Sequence, residues 1–539
     1  MQFDMDGQYC CNITRRDFIK TAAVVSVGIA TSCSTGYLRT CRKQSPNILY
    51  LMTDQQRADC IGCAGNSAIS TPNIDAIARE GVRFSNAYSS TPSCTPARSA
   101  MLTGLSPWHH GMLGYGRVAQ KYPFELPQAL RDAGYYTFGI GKMHWFPERN
   151  LHGLHGALLY EARRAETPGF VSDYHRWFKE KAPELDPDAT GLGSNDYRAK
   201  KYALPEELHP TYWTGQMAVD FIEKYDKNRP FLLKVSFHRP HSPYDPPSRF
   251  MEMYSERNMP QAYIGKWAGK FAAHETPAPF NLWHGDLGAA QVNRSRRGYY
   301  GSISFVDEQI GRILRALKKR RMYDNTLIIF LADHGDMLGD HHLWRKTYAY
   351  EGSAKIPMLL RWPKSMGHEH LCGNTLTQPV ELRDVLPTFL DAAKSAIPGH
   401  LDGISLLRLI RGDAKSWRPF IDMEHDVCYS KENHWNALTD GRFKYIYHAY
   451  DGHEQLFDLR NDPAEINDLA ADSTYCDTLK IWRNHLVEHL RERGTKFVSN
   501  GRLIPRPERM LYSPLFPEKT VKKSEKLPTP YRAVTPESA

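Results

Sequence analysis

The chain has 539 residues, 41% of them hydrophobic and 24% charged, with a net charge of +9; that length suits a large core plus a smaller appended unit and excludes a single small domain. The charge sits at the ends: residues 1–45 hold six Lys and Arg against three Asp, and residues 496–539 hold nine against four Glu, so the body between them is about neutral. With that distribution and no nucleic-acid-binding motif, nucleic acid is excluded as a partner and any preference for polyanions must be local.

The start reads as an address. Thr14-Arg15-Arg16-Asp17-Phe18-Ile19-Lys20 precedes an apolar run from Ala22 to Ala30, too short to span a bilayer and matching a twin-arginine signal. Ala30-Thr31-Ser32-Cys33 looks like a loose lipoprotein cleavage box, which would put a lipid anchor on Cys33. Residues 1–45 are therefore expected to be signal and linker, and the protein exported, periplasmic or anchored at the outer membrane. Of ten cysteines, Cys10, Cys11, Cys33 and Cys41 fall in this leader. Cys60-Ile61-Gly62-Cys63 has CxxC spacing, but no second pair completes a zinc site, so a structural role is expected there.

The body opens with Asn47-Ile48-Leu49-Tyr50-Leu51-Met52, a continuous apolar run of the kind buried on both faces of a parallel sheet, and stops at Thr53-Asp54-Gln55. Next, the stretch from Pro92 to Gly104 reads as a polar turn running into a short helix. Cys94 stands at its start, Pro96 in its first turn, Arg98 one turn up the same face, and Gly104 at its close. Free backbone N–H groups at such a terminus favour an anion, and a thiol there beside a guanidinium is a candidate nucleophile. The strand pattern then recurs: Tyr136 to Gly141 ends at Lys142-Met143-His144, Phe231 to Phe237 at His238-Arg239-Pro240-His241, and Thr326 to Ala332 at Asp333-His334-Gly335-Asp336. Ligands of open α/β sheets bind at the carboxyl ends of the strands, so these groups are expected to converge. The irregular span 145–210 is expected to build one wall of the cleft.

Between strands, Val306, Ile310, Ile313, Leu314 and Leu317 keep helical spacing, with Asp307, Glu308 and Arg312 placed on other faces. Met358 to Pro363 adds a strand and Val385 to Ala393 a helix, giving a layered α/β/α catalytic unit over 46–415. From about 416 to 500 the texture changes. Trp435 to Tyr447 reads as two strands about the Asp440-Gly441 turn, Gln455 to Leu459 as a third, and Thr478 to Arg493 as a helix: a small antiparallel α+β subdomain. Residues 501–539, rich in Pro and Lys, read as an extended tail.

The spelling Cys94-Thr95-Pro96-Ala97-Arg98, followed by Leu102-Thr103-Gly104, resembles the signature of the type I sulfatases. The resemblance covers roughly residues 46–500. It implies an alkaline-phosphatase-like three-layer α/β/α fold and oxidation of Cys94 to formylglycine by a separate modifying enzyme. A thiolate attacking sulfur would be left carrying the sulfate, whereas the hydrated aldehyde can collapse and eject it. Twin-arginine export, which carries folded proteins, suits a Cys modified before it leaves the cytoplasm. The family's metal positions fall on Asp54, Gln55, Asp333 and His334, together with residue 94, and imply one Ca²⁺. Where Gln55 stands the family often has Asp, so the site carries less negative charge.

By the same resemblance Arg98 steadies the hydrated aldehyde and Lys142 and Lys346 clamp the sulfate. His144 helps the hemiacetal collapse, and His241 protonates the leaving oxygen. His238, His109 and His110 receive no assignment and are read as cleft lining. The runs 106–111, 139–146 and 239–247 look most like bacterial enzymes that desulfate glycosaminoglycan fragments, with uronic acid 2-O-sulfate as the leading substrate and algal polysaccharides as the next. A phosphonate or phosphodiester hydrolase is the alternative chemistry on the same fold. A non-catalytic sulfated-glycan binder would show gaps in this constellation, and the sequence shows none.

Overall fold

The computed structural model describes residues 45–518 apart from Arg163. The twin-arginine stretch, Cys33 and the end of the tail lie outside the described residues. The strands are β1 (Asn47–Asp54), β2 (Val82–Phe84), β3 (Ala87–Tyr88), β4 (Tyr136–Gly141), β5 (Gly156–Leu159), β6 (Phe231–Pro240), β7 (Thr326–Ala332), β8 (Met358–Arg361) and β9 (Thr375–Leu376). All but β3 form one sheet in the order β5-β4-β6-β1-β7-β8-β2-β9. β3 pairs with the short β10 (Val380–Glu381).

β1 shows why the sheet is a middle layer. Ile48, Tyr50 and Met52 pack with residues of the helices Cys94–Thr103 and Val385–Ala392, while Leu49 and Leu51 pack with the helices Pro72–Arg79, Pro210–Lys224 and Gly288–Lys319. Burying each such aliphatic side chain contributes roughly 1.5–3 kcal/mol, so a strand apolar at every position is stable only between two layers of helix.

The expected strands and helices are present, with two corrections. β5, β4, β6, β1 and β7 run parallel, but β8 is antiparallel to β7 and to β2, so the sheet is mixed. The cause is the connection: the segment 333–357 has only short helical turns and stays at the carboxyl edge, so the chain re-enters the sheet running the other way. Asp307 is the second. It stands off the apolar stripe yet is buried, and its carboxylate accepts the backbone N–H groups of Asn73 (3.0 Å) and Ile74 (2.7 Å), closing the N-terminus of the helix Pro72–Arg79.

A second, antiparallel sheet follows: β11 (Ile421–His425), β12 (Trp435–Thr439), β13 (Phe443–His448) and β14 (Glu454–Asp458), with Asp440 and Gly441 in the turn between β12 and β13. The helix Cys476–Leu490 packs on one face through Leu479, Trp482, Leu486 and Leu490. β11 escaped the sequence reading because its acids look exposed. Glu424 is in fact bound by Arg493 at 2.6 and 2.8 Å, and Asp422 by Arg383. Further on, Ser513 donates to Gly111 and Leu113 to Leu511, so this stretch runs along the catalytic unit. Among the described residues, no helix is long and apolar enough to cross a membrane. The six described cysteines are all free, Cys60 and Cys63 among them.

The two sheets are joined by charge. Lys444 of β13, fully buried, donates to Glu351 at 2.8 Å and Glu465 at 2.9 Å. This fastens the second sheet to the segment that carries Lys346. Lys444→Ala would leave the buried Glu465 without its cation, while Glu351 keeps Lys355 at 2.7 Å, and we expect a loss of about 3–5 kcal/mol in urea unfolding; a change within 0.5 kcal/mol, roughly the scale of an exposed pair, would contradict this account.

Candidate active site and metal centre

Four strand ends and one helix start build the site. β1 ends in Asp54, and Gln55 follows in the left-handed region with φ 67°. β7 releases Asp333 and His334 beside them. β4 ends at Gly141 with φ 93°, where a Cβ would lie 2.1 Å from the Ser236 carbonyl oxygen. Only glycine allows that turn, and the turn sends Lys142 and His144 inward. β6 carries two extra residues opposite the β1 end: Thr53 pairs with Phe237 and Asp54 with Pro240. The helix Cys94–Thr103 starts at Cys94 and closes at Gly104 with φ 71°, as expected. Its preceding residue, Ser93, does not cap it; Ser93 Oγ meets His425 Nε2 of β11 at 2.9 Å instead.

At the centre, ligand atoms of Asp54, Cys94, Asp333 and His334 all lie within 4.8 Å of one another, fully buried. This group could hold a metal ion. Cys94 Sγ is 3.2 Å from His334 Nε2 and 3.7 Å from Asp54 Oδ1. His334 Nδ1 sits 2.9 Å from the Gly335 carbonyl oxygen. A carbonyl only accepts, so the proton is on Nδ1 and Nε2 turns a lone pair to the centre, as in a ligating histidine. Gln55 completes the wall: its Nε2 donates to Asp336 at 2.5 Å, and its Oε1 accepts from Lys346 at 2.8 Å. Two carboxylates and an amide oxygen fit a hard divalent cation; sulfur at position 94 is the one soft donor, and an oxygen in its place would make the set uniform but for the imidazole.

Cations surround this core. Arg98 donates to Asp333 (2.9 and 3.1 Å), to Asp54 (3.0 Å) and to the Lys142 carbonyl (2.5 Å). Lys142 Nζ lies 2.6 Å from Asp54 Oδ2 and 3.9 Å from Cys94 Sγ, and Lys346 Nζ is 3.4 Å from the sulfur. Burial and Asp54 oppose ionisation of the Cys94 thiol. Lys142 and Lys346 act against them, and the thiol is held below its ordinary value. Burial likewise opposes the charge on Asp54, and Lys142, His241 and Arg98 overcome it, keeping the carboxyl well below the usual carboxylate range.

The remaining expected residues stand around the rim. His241 donates its backbone N–H to the Asp54 carbonyl (3.0 Å), and its Nδ1 lies 2.8 Å from the Ser242 carbonyl oxygen. His144 Nε2 meets the Tyr115 hydroxyl at 3.1 Å, and its Nδ1 is buried without a partner. His109 lies elsewhere, half-buried on Asp402 at 2.7 Å.

Three supporting residues were missed. Asp336 accepts from Gln55, from the Tyr244 hydroxyl (2.6 Å) and from two backbone N–H groups, and so orients the Gln55 amide. Glu161 accepts the N–H groups of Met143 (2.7 Å) and His144 (2.8 Å), pinning the turn after β4. His425 holds Ser93. Asp336 had a signal, its place in Asp333-His334-Gly335-Asp336; the other two come from distant segments with none.

The comparisons agree with this geometry. The chain matches the family described as sulfatase over residues 46–395, and that described as N-sulphoglucosamine sulphohydrolase, C-terminal, over residues 339–492. It is 37% identical over 473 residues to an arylsulfatase of Clostridium perfringens, covering 85% of this chain and 97% of that one. Its fold is similar to a phosphonate monoester hydrolase of Agrobacterium radiobacter, with a TM-score of 0.71, 25% identity and coverage of 86% and 99%. It is also similar, with a TM-score of 0.67, 23% identity and coverage of 83% and 98%, to a protein solved with its substrate D-glucosamine-2-N,6-O-disulfate. A match that spans the whole buried cluster from Asp54 to Lys346 leaves one conclusion: the chain belongs to the sulfatase family of sulfuric ester hydrolases.

Proposed function

We propose that this sulfatase acts on sulfated carbohydrates, with Cys94 working as formylglycine made by a separate modifying enzyme and with one calcium ion held by Asp54, Gln55, Asp333, His334 and residue 94. The observation that carries the reading is the position of Cys94 Sγ, within 4 Å of Asp54, His334, Lys142 and Lys346 at once. No other described cysteine has such surroundings. In that position a hydrated aldehyde would supply an oxygen nucleophile able to release sulfate by collapse, and Ca²⁺ would supply positive charge for a sulfuryl oxygen.

The chain's own residues do the rest. Lys142 and Lys346 fix the sulfuryl oxygens in a water-poor site, where fixed charge acts most strongly. Arg98 is saturated by Asp54, Asp333 and the Lys142 carbonyl, so it steadies residue 94 through those groups. His241 carries its proton on Nδ1, toward Ser242, which leaves Nε2 to take up a proton and deliver it to a leaving oxygen. His144 stands ready to receive the proton freed when the hemiacetal collapses.

For the alcohol, a sugar is favoured by the fold's likeness to the protein solved with D-glucosamine-2-N,6-O-disulfate. Uronic acid 2-O-sulfates of glycosaminoglycan fragments are the first substrates to assay, and algal glycans the next. The likeness to a phosphonate monoester hydrolase favours a second reading, which matched sulfate, phosphonate and phosphodiester substrates would separate by kcat/KM. A non-catalytic binder is disfavoured because every member of the constellation is present and convergent. The twin-arginine stretch and Cys33 support an exported, lipid-anchored protein.

Three outcomes follow from this reading. Cys94→Ala should fold and unfold like the parent yet lose turnover entirely, and mass spectrometry of the parent's peptide should show the thiol replaced by an aldehyde or its hydrate; full activity in protein whose Cys94 is an intact thiol defeats the mechanism. Exhaustive chelation should abolish turnover and added calcium restore it, whereas undiminished rates in verified metal-free protein would remove the ion from the scheme. His241→Ala should cost about 10²–10⁴-fold in kcat on a sugar sulfate and far less on nitrophenyl sulfate, whose leaving group needs little protonation. Equal losses on both would assign His241 another task.

A further inference from the structure

His238 and Arg239 are the two residues by which β6 exceeds β1 at the site: Thr53 pairs with Phe237 and Asp54 with Pro240. A bulge beside a reaction centre re-aims side chains. Here it brings the buried His238 ring to 4.9 Å from that of His241 and 5.6 Å from that of Tyr160. Arg239 stands on the other side. It is held by Asp245 at 2.7 and 2.9 Å, and it places Nη1 2.7 Å from His238 Nδ1.

A guanidinium has only donors and keeps its charge. His238 Nδ1 must therefore offer a lone pair, and its proton is on Nε2. A second proton is resisted by burial and by Lys142, His241 and Arg239, which hold the imidazole well below its ordinary value. His241 is the opposite tautomer, because its Nδ1 faces a carbonyl. Two neighbouring rings thus present different atoms: His241 an Nε2 that can accept a proton and return it, His238 an Nε2–H that only donates. Among the described residues no protein group pairs with that N–H. The His241 ring lies 4.9 Å away, and the charge of Lys142 bears on the imidazole.

We propose that His238 is a substrate-contacting residue whose Nε2–H donates to a sulfuryl oxygen between Lys142 and His241. This rests on the sulfatase reading and adds a neutral donor to the cationic clamp. Such a donor strengthens as negative charge grows on the sulfuryl group, and it costs no proton.

The test uses the geometry of two amides in the modified, calcium-loaded enzyme. Gln at 238 can place an N–H where Nε2 is, whereas Asn can only reach the Nδ1 position, where its oxygen would satisfy Arg239. We expect His238→Gln to keep kcat/KM within about threefold of the parent. His238→Asn and His238→Ala should lose about 30-fold or more, equally on nitrophenyl sulfate and on a sugar sulfate, since the contact is to the sulfuryl group. Inorganic sulfate binding by calorimetry should follow the same order, and thermal unfolding should be recorded for each variant. Rescue by Asn and not by Gln would show that His238 serves only Arg239 and overturn the proposal; so would an unimpaired Ala variant, or a loss confined to the sugar substrate. If the parent turns over no sulfate ester, the sulfatase reading fails, and the sulfate titration still decides whether the 238 N–H contacts the anion.

Discussion

Everything at the centre of this protein hangs on one buried guanidinium. Arg98 bridges Asp54 and Asp333, two carboxylates at the ends of adjacent parallel strands, and reaches on to the carbonyl after β4. Two acids placed side by side without solvent would repel strongly, and one of them would take up a proton. The guanidinium offsets that repulsion and fixes the spacing of the two acids, and its own desolvation is in turn offset by their charge. Buried ion groups of this sort are weak evidence for stability, because apolar packing often does as well. Their value here is positional. A helix, two strand ends and the turn after β4 are locked into one register around residue 94.

The rest of the site is organised around that bridge by backbone rather than by additional charge. Gly141 makes the turn that points Lys142 at Asp54. Glu161 then accepts the N–H groups of Met143 and His144, which fixes the turn that carries Lys142 and His144. On the opposite side Gln55 occupies a left-handed position, and Asp336 fixes which way its amide faces. An amide oxygen aimed this way serves Lys346. A carboxylate at position 55 would add negative charge to the same place, and this chain keeps three cations close by: Arg98, Lys142 and Lys346.

The second sheet is more than an appendage. Through Lys444 it grips the segment that carries Lys346, and through His425 it holds Ser93, the residue just before Cys94. The matched C-terminal region, residues 339–492, begins inside the catalytic segment, consistent with two sheets that share the job of positioning residues 94 and 346. The stretch 511–513 adds backbone contacts to residues 111–113.

Much of this was legible before any coordinates. The apolar runs at 47, 136, 231 and 326 are buried between layers, and the polar groups at their ends converge, because parallel strands put all their carboxyl ends at one edge. The helix from Cys94 to Thr103 was readable because Pro96 and Gly104 act locally. Other features had no local signal. Asp307 read only as a polar residue off the apolar stripe, and the helix at Pro72 ends on it. β11 hid behind acids whose Arg partners lie far away in the chain. The reversal of β8 depends on a segment that never leaves the sheet edge. His238 drew no assignment because the sequence contains neither its bulge nor its tautomer, both of which arise only when β6 pairs with β1 and Arg239 closes on Nδ1. The sequence by itself determined the elements, the strand ends and the helix that starts at Cys94, since propensity, periodicity and motif are written in near neighbours. Only the tertiary structure decided which residues gather around Cys94 and which acids are paired, since burial and partnership are properties of residues that meet in space.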